Sequence, residues 1–451
     1  MKHRQVLSVK KHERRKMNVF YDRLRDFFTG KNVLILGFGR EGKSTLSLLR
    51  EFGCKVTIAD RNDVSGADTE GIDVISGENY LDCMSGFDVI MKAPGIALLD
   101  RVPEDVKPRI TGQTDLLLRF CPNRVIGVTG TKGKSTTSSL IHHILSHCGK
   151  SSLLIGNIGI PPLDCVKSLS DGDIIVCEMS CHQLEYVQAS PGIAVYLNLF
   201  EEHLDHYTGF AAYKAAKENI YRFQSARDTL IINSALVPES CASSIVTASL
   251  DGDADITVTD GAPVILGEKC PVTTKLLGRH NLYNIGIAMY AAGLCGVGYG
   301  EAAAAVSSFD GLKHRLEKVG VIDGVTYIND SISTCPSTAI AAVRAFDGVD
   351  TIIVGGMDRG IDYTELIDFL NASDIANVIL LPDSGHRIED RLDHNKRSIY
   401  RAADLEDAVK HAKKVTKHIC LLSPAAASYG FYKNFEERGA HFVSLLGGKD
   451  G

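Results

Sequence analysis

The 451-residue sequence predicts an α/β protein built on mainly parallel sheets, and two observations carry that expectation. Apolar, β-like runs alternate with helical stretches nearly throughout, the pattern of strands joined by crossover helices. Two of the runs also feed a glycine-rich turn that opens a helix, GFGREG at Gly37–Gly42 and GTKGKST at Gly130–Thr136.

The elements fall into three blocks. The first opens with NVLIL, turns at GFGREG, and continues as a helix from about Lys43 to Phe52. A second strand, KVTIAD, ends at Asp60, and a third, within DVIMKAPGI, ends in a Pro-Gly turn. The second block opens with RVIGVTGTKGKSTTSSLIHHIL, again strand, turn and helix, and adds strands at DIIVCEMS and IAVYLNL. A helix rich in Ala and Lys covers Phe210 to about Tyr221, a β-like stretch runs from Asp251 to Leu277, and a loop and helix follow from Gly278. The third block places strands at VTYINDS, DTIIVGG and HICLLS, with a last helix in the tail. The expected domains are a 1–30 extension, 31–123, 124–312 and 313–451.

Composition narrows the function classes. Apolar residues make up 44% and charged residues 23%, ordinary for a globular chain. A net charge of −6 disfavours nucleic acid as a partner. No apolar run is long enough to span a membrane, and the basic start MKHRQVLSVKKHERRK lacks the apolar core of a secretory signal. That start reads as a disordered tail, with a binding arm as the alternative. Twelve cysteines occur without any CxxC pair, as expected of reduced thiols in a cytoplasmic protein.

GTKGKST carries the strongest chemical signal. A strand–loop–helix of this kind aims backbone N–H groups and the positive end of the helix dipole at phosphate oxygens. Lys134 is placed to reach the β- and γ-phosphates, and Ser135 or Thr136 to ligate Mg²⁺. Val128 occupies the position where the strict Walker spacing needs glycine, so the loop is a shortened relative. GFGREG fits GxGxxG, with Asp60 standing 18 residues after Gly42. That spacing also fits a dehydrogenase, but a second phosphate loop is better explained by a nucleotide-diphosphate substrate on a Rossmann-like domain. Glu178 and His203 follow apolar strands, where ligands of parallel sheets bind, and could hold Mg²⁺. Asn329–Ser331, Gly355–Gly356 and Ser423–Ser428 are further strand-end loops.

These motifs together resemble the Mur ligases, from about Asn32 onward, and within them the members that add glutamate to UDP-N-acetylmuramoyl-L-alanine. The resemblance rests on GFGREG, APGI, VTGTKGKSTT, GNIGIP, CEMSCHQLE, NLFEEHLDHY, YKAAK, GRHNLYN, GLKHRLE, INDS, GGMDRG and SPAAASYGFYKNFEERG. It implies a Rossmann-like first domain, a central P-loop-type ATPase domain and a Rossmann-like C-terminal domain. It implies that Gly130, Thr131, Lys132, Gly133, Lys134, Ser135 and Thr136 bind ATP with Asn281, Asn284, Arg315 and Asp330. Ser135, Glu178, His203 and a carbamylated Lys217 would hold two Mg²⁺ ions. Lys134, His203, Lys217 and Arg315 would be catalytic. Arg40, Glu41, Asp60, Arg61, Asn62 and Gly95 would bind the uridine nucleotide, and Asn157, Ser180 and Gln183 the muramoyl-alanine arm. Arg359, Ser428, Tyr429 and Phe435 would bind glutamate.

The implied reaction activates the alanine carboxylate as an acyl phosphate, with closure of the third domain excluding water. A cytoplasmic monomer acting on small molecules is expected. NDSIST, with Ile332, and DRG, with Arg359, depart from the common pattern and are similar to a subgroup that adds L-glutamate. The family's wider usage favours D-glutamate. A folate-tail ligase, an oxidoreductase and a non-catalytic binding protein are the remaining alternatives.

Overall fold

The computed structural model describes residues 18–202, 206–276 and 278–447. The basic tail read as disordered, and His203, lie outside these residues. The chain forms two compact units. One comprises the chain up to Thr274 together with Arg279–Ser308; the other comprises Lys275–Gly278 and the chain from Phe309 onward.

The first unit contains two sheets. Its chain begins with α1 (Val19–Phe28), whose Asn18 side chain accepts from the Tyr21 N–H and so caps the helix. There follow β1 (Asn32–Leu36), α2 (Arg40–Phe52), β2 (Lys55–Asp60), β3 (Asp73–Ser76), β4 (Val89–Lys92), β5 (Ile110–Thr111) and α3 (Gln113–Phe120). The strands pair in parallel in the order β3-β2-β1-β4-β5. β1 is therefore flanked by β2 and β4, and the order reverses there; such a switch point opens a crevice at the carboxyl ends of the strands. The helix after GFGREG starts at Arg40 rather than near Lys43, because the glycine turn itself leads directly into helical backbone. Gly42 is required there: a Cβ would lie 2.3 Å from the Gly37 carbonyl oxygen.

The second sheet is built from β6 (Arg124–Thr129), α4 (Lys134–His147), β7 (Ser152–Gly156), β8 (Ile174–Glu178), α5 (Cys181–Leu184), β9 (Ile193–Tyr196), α6 (Phe210–Arg222), β10 (Thr229–Asn233) and β11 (Ser244–Ala248). β12 (Ile256–Thr259), β13 (Ala262–Ile265) and β14 (Glu268–Lys269) extend its edge, before α7 (Arg279–Gly293) and α8 (Tyr299–Ser307). The order is β14-β13-β12-β11-β10-β9-β6-β8-β7, parallel from β12 to β7 and antiparallel at β12–β14. Strands β6, β8 and β9 are apolar and buried along nearly their whole length, as parallel strands covered on both faces must be. One hydrophobic core runs through both sheets of this unit, joining Leu24, Val33 and Ile35 to Ile155, Leu163 and Ile175.

The second unit contains β15 (Glu317–Ile322), β16 (Val325–Asn329), α9 (Pro336–Arg344), β17 (Val349–Val354), α10 (Thr364–Ala372), β18 (Asn377–Leu380), α11 (Ser384–Ile388), β19 (Ser398–Arg401), α12 (Leu405–Val415), β20 (Ile419–Leu422) and α13 (Phe435–Leu445). Its sheet has the order β15-β16-β20-β17-β18-β19, parallel except for the β15–β16 hairpin. The fold is thus α/β with mostly parallel sheets, as the alternating sequence pattern predicts.

Candidate active site

The phosphate loop joins β6 to α4. Gly133 adopts φ 82° at the cap of α4, a left-handed conformation that turns the loop sharply into the helix. The start of a helix, with its N–H groups and the positive end of its dipole, favours an anion. Asn198, just beyond β9, clamps the loop: its side chain accepts from the Lys132 N–H at 2.8 Å and donates to the Lys132 carbonyl at 3.0 Å. The Lys132 ammonium pairs with Glu202. The Thr131 and Tyr213 hydroxyls share a hydrogen bond of 3.0 Å.

Two lysines converge on this loop. Lys134 donates to the carbonyls of Gly130 and Thr131 at 2.9 and 3.0 Å. Lys217, on α6 and 1% exposed, donates to the same Gly130 carbonyl at 2.9 Å. Burial first, and then the charge of Lys134, push the Lys217 amine down to about 7. Burial thus favours the neutral form of this amine more than at an exposed lysine.

Glu178 closes β8 at the same end of the sheet. One carboxylate oxygen accepts from the Asn157 side chain at 2.7 Å. The other is buried without a hydrogen-bond partner. A buried anionic oxygen left in that state is costly, and a cation is what would satisfy it. That single oxygen suits a hard cation such as Mg²⁺, although no group of three or more His, Cys, Asp or Glu side chains gathers among the described residues. Asn284 lies against Gly133, where a Cβ would meet its Oδ1 at 3.1 Å, and Asn281 accepts from Asn284 at 3.4 Å, one turn earlier on α7. The loop residues Gly130–Thr136 with Glu178, Lys217, Asn281 and Asn284 thus gather in one unit.

A cavity of about 600 Å³ lies at the switch point of the first sheet. Gly37–Glu41 follow β1, Asp60 ends β2 and Arg61–Asn62 follow it, and Ala93–Ile96 follow β4; Tyr80, Gly156, Asn157, Pro161 and Gln183 complete the wall. Arg40, Glu41, Asp60, Arg61, Asn62, Gly95, Asn157 and Gln183, all expected at the nucleotide-sugar site, line it. Ser180 does not. It caps α5, where its Oγ accepts from the Gln183 N–H at 3.2 Å, and so orients Gln183. Gln183 in turn donates to Glu41 at 2.8 Å, while burial raises the Glu41 carboxyl above its ordinary range. Arg40 donates to the Gly159 carbonyl, and Arg61 is paired with Glu78 at 2.8 Å. Asp60 accepts the Phe38 N–H at 2.8 Å and the Asn62 N–H at 2.9 Å, so its carboxylate shapes the loops of the cavity.

Two residues here belong to none of the sequence motifs. Tyr80 lines the cavity, and Lys92, 3% exposed in its side chain, pairs with Glu185 at 3.1 Å beneath the cavity wall. A lysine ending the apolar run DVIMK was the available signal for the second.

In the second unit, Asp330 follows β16. Its carboxylate accepts from the Ser423 hydroxyl at 2.8 Å and the Leu316 N–H at 3.2 Å, and burial raises it to about 6. Arg315 has a buried Nε without a partner. Ser428 is buried, Tyr429 is 58% exposed, and Phe435 begins α13. Arg359 donates to the Thr334 carbonyl at 3.5 Å. The tail also supplies Arg438, which the sequence reading did not single out. It is buried, donates to Ser331 and the Ala426 carbonyl, and leaves Nη1 without a partner; burial lowers it to about 10.

Residues 128–292 match the Mur ligase middle domain. A UDP-N-acetylmuramoylalanine–D-glutamate ligase of Symbiobacterium thermophilum is 33% identical, over 92% of this chain and 98% of that protein. A ligase of the same name from Clostridium botulinum is 30% identical, over 94% and 98%. Among solved structures, the MurF ligase of Thermotoga maritima in complex with ADP has a TM-score of 0.57 at 16% identity, covering 92% of this chain and 95% of its own. The identity and coverage of the relatives place this chain in the Mur ligase family.

Proposed function

We propose that the chain catalyses ATP-dependent, ADP-forming ligation of D-glutamate to UDP-N-acetylmuramoyl-L-alanine in peptidoglycan precursor synthesis. The observation that carries this reading is the joint presence, in one unit, of a nucleotide-sized cavity and a phosphate loop whose Gly130 carbonyl receives both Lys134 and Lys217. The nearly full-length relatives named for the D-glutamate reaction favour it over L-glutamate, despite Ile332 and Arg359. An oxidoreductase would leave the second phosphate loop unexplained.

The cavity holds the nucleotide-sugar, with its diphosphate at the start of α2 and its muramoyl-alanine arm towards Asn157 and Gln183. ATP lies along Gly130–Thr136, with Asn281 and Asn284 towards adenine and Asp330 towards ribose. Ser135, Glu178 and His203 would hold Mg²⁺, together with Lys217 once its neutral amine has taken up CO₂ as a carbamate. Bound there, the metal would neutralise phosphate charge. Lys134 and Arg315 would stabilise the transferred phosphoryl group. The alanine carboxylate oxygen attacks the γ-phosphorus and ADP leaves. The glutamate amine, held by Arg359, Ser428, Tyr429 and Phe435, then attacks the acyl carbonyl and phosphate departs. The enzyme acts as a cytoplasmic monomer on small molecules. None of the described helices is long and apolar enough to cross a membrane.

The acyl-phosphate route has an isotopic test. With ¹⁸O in the alanine carboxylate of the acceptor, one label must appear in the released phosphate. Ligation with unlabelled phosphate would contradict the route.

A further inference from the structure

The cavity at the first sheet's switch point has a direction. The start of α2 offers helix N–H groups to a diphosphate near its middle, and Asn157 and Gln183 lie towards the second sheet. Asp60–Asn62 and Tyr80 form its other end, beyond β2. The turn carrying Tyr80 is fixed there. The Gly77 N–H donates to the Arg61 carbonyl at 3.1 Å, and the Tyr80 N–H donates to the Gly77 carbonyl at 3.2 Å. The Tyr80 ring packs against the core that contains Leu34, Ala59, Leu81 and Leu98, yet remains half-buried and borders the cavity. Phe38, the other aromatic ring of the wall, is only 6% exposed. Tyr80 is thus the accessible aromatic surface at the end of the cavity away from the sugar arm.

We propose that Tyr80 is the platform on which the pyrimidine ring of the nucleotide-sugar stacks, and hence a residue that sets affinity for that substrate. The inference rests on the nucleotide-sugar reading given above. A ring held by the core costs little further ordering when a flat base covers its free face. Such stacking needs the aromatic face and not the hydroxyl.

The chain contains no tryptophan, so Tyr80→Trp installs a single indole reporter at the platform. UDP is titrated into wild type, Tyr80→Phe, Tyr80→Leu and Tyr80→Trp by calorimetry, with indole emission recorded for the last. Wild type and Tyr80→Phe are expected to bind UDP within about twofold of each other, and Tyr80→Leu about tenfold more weakly. Indole emission in Tyr80→Trp should fall as UDP binds. Undiminished binding by Tyr80→Leu overturns the proposal, and so does unquenched emission while calorimetry shows UDP bound. If Tyr80→Phe loses as much as Tyr80→Leu, the hydroxyl makes the contact and stacking is wrong. If wild type does not bind UDP, the nucleotide-sugar reading itself fails, and the platform with it.

Discussion

Replacing Asp330 with asparagine removes a buried charge whose energetic cost can be worked from the structure. The carboxylate is 4% exposed and raised from 3.8 to about 6, chiefly by burial. A raised acid binds its proton more tightly in the folded than in the unfolded state. Its stabilising contribution is complete below about pH 4 and is lost as the pH climbs through about 6. At about 1.4 kcal/mol per pH unit, the full effect is about 3 kcal/mol, of which about 2 kcal/mol falls between pH 4.5 and 7.5. The carboxamide of Asp330→Asn does not titrate. The variant should therefore gain about 2 kcal/mol relative to wild type across that interval. Hydrogen–deuterium exchange of the Val325–Asn329 amides in the full-length protein, read as an opening free energy, measures the difference at each pH. Other titrating groups cancel because both proteins carry them. A difference that stays constant with pH, or shifts towards wild type as pH rises, would refute the reasoning. A carboxylate retained at such a cost is characteristic of a ligand-binding position, so Asp330→Asn should also weaken ATP binding.

Lys134→Ala should reduce kcat by about 10²–10³-fold with an unchanged circular dichroism spectrum, because it removes a charge from the transferred phosphoryl group; near-normal turnover would exclude that role. Lys92→Met should lower stability by about 3–5 kcal/mol, because it removes the buried cation from Glu185 and leaves that carboxylate only the longer contact to His206 at 3.5 Å. Lys92→Met combined with Glu185→Gln should recover part of that loss in thermal unfolding, and no recovery would mean the pair is not the cause. Lys217 should give a carbamate carbon resonance when the protein is supplied with ¹³C-bicarbonate, and the signal should be absent from Lys217→Ala; its persistence there would assign it to another amine.

Much of the fold could be read from sequence because parallel strands buried on both faces must be continuously apolar. β1, β6 and β8 stand out for that reason, and the glycine turns after β1 and β6 mark where their helices begin. The glycine loop after β6 and Glu178 stand out in the sequence because each lies at the end of an apolar strand, whereas Lys217 is marked only by the resemblance that YKAAK carries. What escaped depends on contacts between distant segments. Ser180 acts as a helix cap through Gln183, and only the packed structure shows that Gln183 then reaches Glu41, 142 residues away. Tyr80 looks like an ordinary turn residue until the turn is seated against β2. Arg438 lies among exposed charges in FEERG, and its burial follows from the fit of α13 against Ser331. The start of α2 was placed three residues late because glycine-rich sequence looks like loop until its backbone is seen to be helical.

The most direct test of the ligase reading supplies the purified protein with ATP, Mg²⁺ and UDP-N-acetylmuramoyl-L-alanine and measures phosphate release with D- or L-glutamate. Release that requires the nucleotide-sugar and is faster with D-glutamate is the predicted result. No release with either glutamate would contradict ligation, and preference for L-glutamate would contradict the stereochemical assignment while leaving the reaction type intact.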